Sequence, residues 1–159
     1  KRYKAGAEAF AALGRQLAAL ANKTGASLAL IPSRRTPARH LKNLTIALTG
    51  LSYTLWDGQD PNPYPGILGQ ADAVIVTSDS VNMTSEVALT GKPLIVATLR
   101  EEEGRIAEFH TRMRANHHTV LLEEVLENPD LLTTPFAVLD EMPALSAQVR
   151  QHFGWQDRA

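Results

Sequence analysis

The fold of this chain is decided by residues 71–98, which read ADAVIVTSDSVNMTSEVALTGKPLIVAT. Two short apolar runs, residues 73–76 and 94–97, are typical of strands buried on both faces of a parallel sheet. The polar segment between them predicts a helix from about Val81 to Thr90, ended by Gly91. A strand–helix–strand unit with so short a crossover is parallel and right-handed in nearly all proteins. This stretch therefore predicts the centre of a parallel α/β sheet.

The start of this predicted helix is rich in small polar side chains, namely Ser78, Ser80, Asn82, Thr84 and Ser85. Free backbone N–H groups and the helix dipole stabilise an anion at such a position by roughly 0.3–1 kcal/mol when it is exposed. Glu86 follows at a distance where its carboxylate could accept hydrogen bonds from sugar hydroxyls. Two interpretations stay open here: an anion-binding helix start, or helix capping with no ligand.

Length and composition indicate one globular domain, because 159 residues with 44% hydrophobic residues can bury an adequate core. The sequence contains no apolar run long enough to cross a bilayer, and its first residues do not read as a signal peptide. Cysteine is absent, which excludes disulfides and thiolate metal sites and fits a reducing compartment. We therefore expect a cytoplasmic protein.

The charge is distributed unevenly, although the net charge is only −1. Between residues 1 and 43 the sole acidic residue is Glu8, among many lysines and arginines, whereas acids concentrate at residues 101–103 and 123–124. A basic front half favours an anionic ligand, and a solvated helix face is the alternative. Nucleic acid is disfavoured as a partner because no aromatic residues interleave with the basic ones.

The rest of the chain continues the alternation of helices and strands. Helices are predicted at residues 6–22, 37–48, 65–70, 101–116 and 143–153, and strands at residues 27–31, 51–56 and 119–122. Strands alternating with helices predict an α/β fold with a Rossmann-like, doubly wound parallel sheet.

Three polar loops follow predicted strands, at residues 33–36, 57–64 and 78–85. Ligands of doubly wound sheets bind at the carboxyl ends of the strands, so we expect these loops to converge on one site. Arg34 and Arg35 could give forked hydrogen bonds to a phosphate, and a surface turn is the alternative. The further candidates in the first two loops are Ser33, Thr36, Asp57, Asn62 and Tyr64.

Several common site motifs are absent from the sequence. There is no GxGxxG, no GxxxxGK[ST] and no GxSxG, which disfavours the dinucleotide-fingerprint, P-loop and hydrolase-elbow interpretations. None of the histidines lies in a HExxH pattern or beside acids at ligand spacing. We therefore expect no metal site and no cofactor.

Three ordered motifs resemble a known family: SRRTP at residues 33–37, WDG with NPY within residues 56–64, and ADAVIVTSDSVNMTSEV with TGKP within residues 71–93. The sequence is similar here to the mitochondrial-fission "elongated mitochondria" family of plants and to its bacterial relatives. The resemblance implies a GT-B-like architecture, like that of glycosyltransferases that build peptidoglycan lipid intermediates and the lipid A disaccharide. In those enzymes the carboxyl-terminal domain binds the nucleotide diphosphate sugar.

The resemblance assigns roles to the candidate residues. It implies diphosphate contacts from the serine-rich helix start and from the loop after the first strand, and a ribose contact from Glu86. The diphosphate set is Ser33, Arg34, Arg35, Thr36, Ser78, Ser80, Asn82, Thr84 and Ser85, with Asp57, Asn62 and Tyr64 as loop contacts. The implied ligand is a nucleotide sugar or another phosphorylated small molecule. The alternative is a non-catalytic interaction or scaffold protein that keeps the fold.

The chain departs from the family pattern in two respects. A GT-B protein has two Rossmann-like domains, and residues 1–159 suffice for one, so we expect the carboxyl-terminal half of a two-domain protein. The domain normally opens with a strand and a glycine-rich loop, whereas this sequence begins at a helix; that strand is central in the order 3-2-1-4-5-6. Glycosyl transfer, and any acceptor at a membrane surface, would accordingly need the amino-terminal domain.

Overall fold

The computed structural model describes residues 5–33 and 36–154. Its helices are α1 (Ala7–Thr24), α2 (Ala38–Ile46), α3 (Tyr64–Gln70), α4 (Val81–Ala88), α5 (Gly104–Ala115), α6 (Leu122–Glu127) and α7 (Met142–Phe153), with a 3₁₀ turn at Pro129–Thr133. Its strands are β1 (Leu28–Leu30), β2 (Tyr53–Leu55), β3 (Val74–Thr77), β4 (Leu94–Ala97) and β5 (Val120–Leu121).

All strand pairs in the described residues are parallel, which confirms the predicted α/β class. They form two sheets: β1 pairs with β2, and β3, β4 and β5 pair in that order. Within the described residues, β1 and β3 do not hydrogen-bond to each other, so the strands do not form one continuous sheet. The two sheets are separated by a cleft, and this arrangement is consistent with a Rossmann-like fold that is interrupted between β1 and β3.

The central unit β3–α4–β4 folds as its sequence predicts. β3 pairs with β4 from Val74 opposite Leu94 to Thr77 opposite Ala97, and Gly91 has the positive φ of 67° expected of a residue that ends a helix. The helix itself ends at Ala88, two residues before the predicted end. All four residues of β4 are buried, as expected for the middle strand of a parallel sheet.

Helices cover both faces of the larger sheet. On one face, α1, α2 and α6 pack in a single apolar cluster that also contacts β1 and β3. On the other face, α4 and α5 pack through Val87, Ala88 and Met113. The contact between α1 and α2 is close, because Gly14 lies directly against the backbone of Leu44. This contact fixes α2, and α2 begins where the loop after β1 ends.

The carboxyl-terminal third differs most from the sequence prediction. Leu122 was expected in a strand; it begins α6 and is fully buried, and the Leu121 N–H donates to the Glu124 carboxylate at 2.8 Å. The predicted helix α7 is present, but Leu145 and Phe153 are 52% and 61% exposed, so its apolar residues do not pack into either cluster. Among the helices that the structure describes, none has both the length and the apolar character needed to cross a membrane.

Candidate functional site

The loops that follow β1 and β3 open onto one cavity of about 1310 Å³. Its polar lining includes Ser33 and Thr36 after β1 and Thr77, Asp79 and Ser80 after β3. Ser33 and Thr36 are joined by a contact of 3.3 Å between their hydroxyl oxygens, which holds the two ends of this loop together. The structure therefore brings the loops after β1 and β3 to one rim, and the last residue of the predicted loop at residues 57–64, Tyr64, lines the same cavity. Arg34 and Arg35, between Ser33 and Thr36, lie outside the described residues.

The amino end of α4 faces this rim without a side-chain cap. Ser80 is the residue before the helix, and its side chain makes no capping hydrogen bond. The Thr77 hydroxyl donates instead to Asp79 Oδ1 at 2.6 Å, so these two possible capping groups bond to each other. Asn82, in the first turn, is exposed. The first N–H groups of a helix have no partner within the helix, so this end can donate hydrogen bonds to acceptor atoms of a ligand.

Ser78 is held by a buried polar network behind the rim. Its hydroxyl donates to Glu102 Oε1 at 2.8 Å, and its carbonyl oxygen accepts from His110 Nε2–H at 2.6 Å. Ser78 is only 2% exposed, and the Glu102 side chain is 7% exposed, with Arg100 Nη2 at 3.9 Å. The network fixes the backbone that leads into α4. It also keeps the Ser78 hydroxyl away from the cavity.

Thr84 and Ser85 direct their hydroxyls along their own helix. The Thr84 hydroxyl donates to the Ser80 carbonyl at 3.0 Å, and the Ser85 hydroxyl donates to the Val81 carbonyl at 3.1 Å. Thr84 is fully buried, on the same face of α4 as Val87. Of the polar residues predicted around this helix start, Ser80 lines the cavity, and Asn82 is exposed outside its lining.

Tyr64, at the start of α3, is hydrogen-bonded to Glu86 of α4, which is exposed and lies outside the cavity lining. The Tyr64 hydroxyl donates to Glu86 Oε2 at 3.3 Å, and Tyr64 lines the cavity. Partial burial raises the pKa of the Tyr64 hydroxyl above 10.0, and the nearby Glu86 carboxylate raises it further by its charge and its hydrogen bond. The phenol is therefore a hydrogen-bond donor at neutral pH and orients the carboxylate.

Asp57 and Asn62 stabilise their own loop. Asp57 Oδ1 accepts from the Gln59 N–H at 2.9 Å, and Asn62 Oδ1 accepts from the Tyr64 N–H at 3.0 Å. Both residues are exposed and neither lines the cavity. Their contribution is to the shape of the loop that carries Tyr64.

Four residues at the site were missed by the sequence analysis. Arg39 and His40 line the cavity from the first turn of α2, and Glu102 and His110 hold Ser78. The four-residue spacing from Arg35 to Arg39 could have placed a further cation beside the first loop. The local sequence does not predict that Glu102 and His110 hydrogen-bond to Ser78, because the two partners lie more than 20 residues further along the chain. Within residues 5–33 and 36–154, no group of three or more His, Asp or Glu side chains could hold a metal ion.

Two curated proteins match part of the chain. The mitochondrial fission protein ELM1 of Arabidopsis thaliana is 47% identical over 60 residues, which is 38% of this chain and 14% of the relative. An uncharacterised protein of Rickettsia prowazekii is 42% identical over 67 residues, which is 40% of this chain and 19% of the relative. The matched segments thus span less than a fifth of either relative. No solved structure matches the chain.

The family comparison covers nearly the whole chain. The model described as "Mitochondrial fission ELM1" matches residues 1–153. This match and the two relatives confirm the family that the motifs at residues 33–37, 56–64 and 71–93 resemble. The chain belongs to the mitochondrial fission ELM1 family.

Proposed function

We propose that this chain is the nucleotide-diphosphate-sugar-binding domain of a GT-B-like, glycosyltransferase-related protein. One observation carries the proposal: the uncapped start of α4 opens into the cavity that the loop after β1 also lines. Parallel α/β sheets bind ligands at this edge, where helix N–H groups and short polar side chains meet. A diphosphate fits this chemistry better than a neutral ligand does.

Different residues would bind the diphosphate and the ribose of the ligand. Ser80, Asn82 and the first N–H groups of α4 would bind the diphosphate, because small side chains let phosphate oxygens approach the backbone. Arg34 and Arg35 would add charge-assisted hydrogen bonds from the loop after β1. Glu86, oriented by Tyr64, would accept hydrogen bonds from the ribose hydroxyls.

In the whole protein, the contribution of this domain to glycosyl transfer would be to bind the nucleotide sugar and to stabilise the leaving diphosphate. Charge accumulates on the diphosphate as the sugar leaves, and preorganised donors lower the energy of that state. The start of α4 and a guanidinium of the first loop are donors of this kind. The acceptor, on a membrane surface, would be bound by a domain outside these residues.

Calorimetry on the full-length protein tests the proposal. We expect UDP or GDP, or one of their sugars, to bind, and Ser80→Asp to weaken binding at least ~10-fold, since Ser80 lines the cavity and a carboxylate there would repel phosphate at the helix start. Asn62→Asp is the matched control, because its Oδ1 keeps the turn and lies outside the cavity. No heat with any of these nucleotides at millimolar concentration would contradict the proposal.

A second candidate is a non-catalytic interaction protein that retains the fold. It is favoured because two residues that were predicted to bind the ligand are engaged within the protein instead. The Ser78 hydroxyl donates to Glu102, and Thr84 is buried. The Arabidopsis relative is named as a mitochondrial fission protein, not as a transferase. Under this alternative, Arg34→Ala with Glu86→Ala leaves partner capture from a lysate unchanged, and no nucleotide binds to the unsubstituted protein.

A further inference from the structure

A second cavity lies beside β5, which ends the larger sheet in the described residues. Its volume of about 750 Å³ is within the ~300–1,000 Å³ usual for small-ligand sites. Side chains of α5, of α6 and of the segment between them line it, among them His110, Thr111, Arg114, Thr119, Glu124 and Glu127. This lining shares none of the described residues with the cavity at the start of α4.

Two side chains of the lining carry a buried polar atom that has no hydrogen-bond partner among the described residues. The atoms are His110 Nδ1 and Thr119 Oγ1, and the two residues are only 8% and 3% exposed. Buried polar groups of native proteins are nearly always paired, so each unpaired one needs an explanation. A molecule bound in the second cavity would supply the partners of both atoms.

The tautomer of His110 determines what such a molecule must offer. His110 Nε2 lies 2.6 Å from the Ser78 carbonyl oxygen, which can only accept, so Nε2 carries the proton. In the neutral ring Nδ1 is then an acceptor, and it needs an N–H or O–H donor. The Thr119 hydroxyl can both donate and accept. Hydroxyl groups satisfy both atoms, because a hydroxyl donates to Nδ1 and can exchange either kind of hydrogen bond with Thr119.

The charged side chains of the lining favour a neutral ligand. Arg114 pairs with Glu124 Oε1, and Glu124 Oε2 accepts from the Leu121 N–H at 2.8 Å. Glu127 adds an exposed carboxylate, so an anion would be repelled by this charge and by the lone pair of Nδ1. An ammonium group would donate to Nδ1 but would leave the Thr119 O–H without an acceptor. No group of three or more His, Asp or Glu among the described residues could hold a metal ion.

We propose that the second cavity binds a small neutral polyhydroxy compound, a sugar or a polyol, through His110 Nδ1 and Thr119 Oγ1. Hydroxyl groups of the ligand donate to Nδ1 and exchange hydrogen bonds with Thr119. The volume of about 750 Å³ accommodates such a molecule, since one water occupies only ~30 Å³. The inference needs no nucleotide and stands independently of the proposed function.

Saturation-transfer NMR on the full-length protein tests the binding, with glycerol, myo-inositol and glucose as the probes. We expect at least one probe to bind saturably, and Thr119→Val to weaken that binding at least ~10-fold. Valine keeps the shape of the side chain and removes a hydroxyl that has no partner among the described residues, so the variant should fold.

Thr111→Val is the matched control for this variant. Thr111 lines the same cavity, but its hydroxyl donates to the Ala107 carbonyl at 2.9 Å within α5, so its loss should leave the affinity for the probe unchanged. The absence of saturable binding by all three probes overturns the proposal. So does binding that survives Thr119→Val, or that both substitutions weaken equally.

Nitrogen-15 NMR of the full-length protein labelled at histidine reports on His110 itself. The Nδ1 signal of His110, assigned by its absence in His110→Gln, should shift saturably with the bound probe, because the unprotonated nitrogen then accepts a hydrogen bond. The same concentration of probe should leave that signal unmoved in Thr119→Val. A response to ammonium chloride or sodium phosphate with none to the three probes would indicate an ionic ligand. An Nδ1 signal that no probe moves would mean that water alone pairs with this atom, and either result overturns the proposal.

Discussion

Gly14→Ala should loosen the contact between α1 and α2. Gly14 lies where the two helices meet, and an added Cβ would overlap the carbonyl oxygen of Leu44 and lie 3.0 Å from the Leu44 Cα. All of these atoms belong to the backbone, so no rotamer change relieves the overlap. The helices must move apart, and the interior between them loses its close packing.

Two opposing contributions set the magnitude. Alanine is favoured over glycine by ~1 kcal/mol in a helix interior, and overpacking costs ~1–3 kcal/mol. Because the clash is with backbone, the cost should lie at or above the upper end of that range, and we expect a net loss of ~2 kcal/mol in the free energy of unfolding. For a chain of this length, that loss lowers Tm by ~4–8 °C.

Urea and thermal unfolding, followed by far-ultraviolet circular dichroism, measure the effect. Gly66→Ala is the matched control, because Gly66 lies in α3 and no atom lies within 4 Å of its added Cβ. The control should be neutral or slightly stabilising. If Gly14→Ala is as stable as Gly66→Ala, the helices are not in the close contact described, and the packing argument is refuted. Since α2 follows directly on the loop of Ser33 and Thr36, weaker nucleotide binding by Gly14→Ala should accompany the loss of stability.

The remaining predictions concern the rim of the site. Because the pKa of Tyr64 is raised, the unfolded chain loses the phenolic proton first: stability is unaffected below pH 10 and falls as the pH rises toward the folded pKa. Tyr64→Phe should reduce that alkaline slope in pH-dependent urea unfolding, whereas an unchanged slope contradicts the raised pKa. His110→Phe leaves the buried Ser78 carbonyl without its donor and should cost ~1–3 kcal/mol of stability by chemical denaturation; a cost near zero would argue against the bond. Thr84→Val should leave nucleotide affinity unchanged, since Thr84 is fully buried, and a loss of affinity at equal stability would contradict its placement.

The central unit shows what local sequence can determine. The apolar runs at residues 73–76 and 94–97, with Gly91 between helix and strand, dictate strand, helix and strand through backbone preferences and burial alone. These are short-range effects, so the unit is found within one residue of its predicted position in both strands. The family follows from three short motifs, at residues 33–37, 56–64 and 71–93, each of which can be recognised in the local sequence.

The surroundings of the side chains at the start of α4 are predicted by the local sequence only in part. Ser80, Asn82 and Thr84 are similar small polar residues, but only the helical phase separates the exposed Asn82 from the buried Thr84. The spacing of Thr84 to Val87 and Ala88 carries that phase in the sequence. The hydrogen bonds of Ser78 have no such signal in the sequence, because Glu102 and His110 are distant from it in the chain and come near it only in the folded protein.

The sequence by itself determined the strand–helix alternation, the parallel class and the family, because each depends on residues close together in the chain. The tertiary structure alone decided that β1 and β3 lie on opposite sides of a cleft and that the loops after them share one rim. The physical reason is that strand neighbours are chosen by contacts between distant segments, and the edge of a strand looks the same in sequence whether or not it is paired.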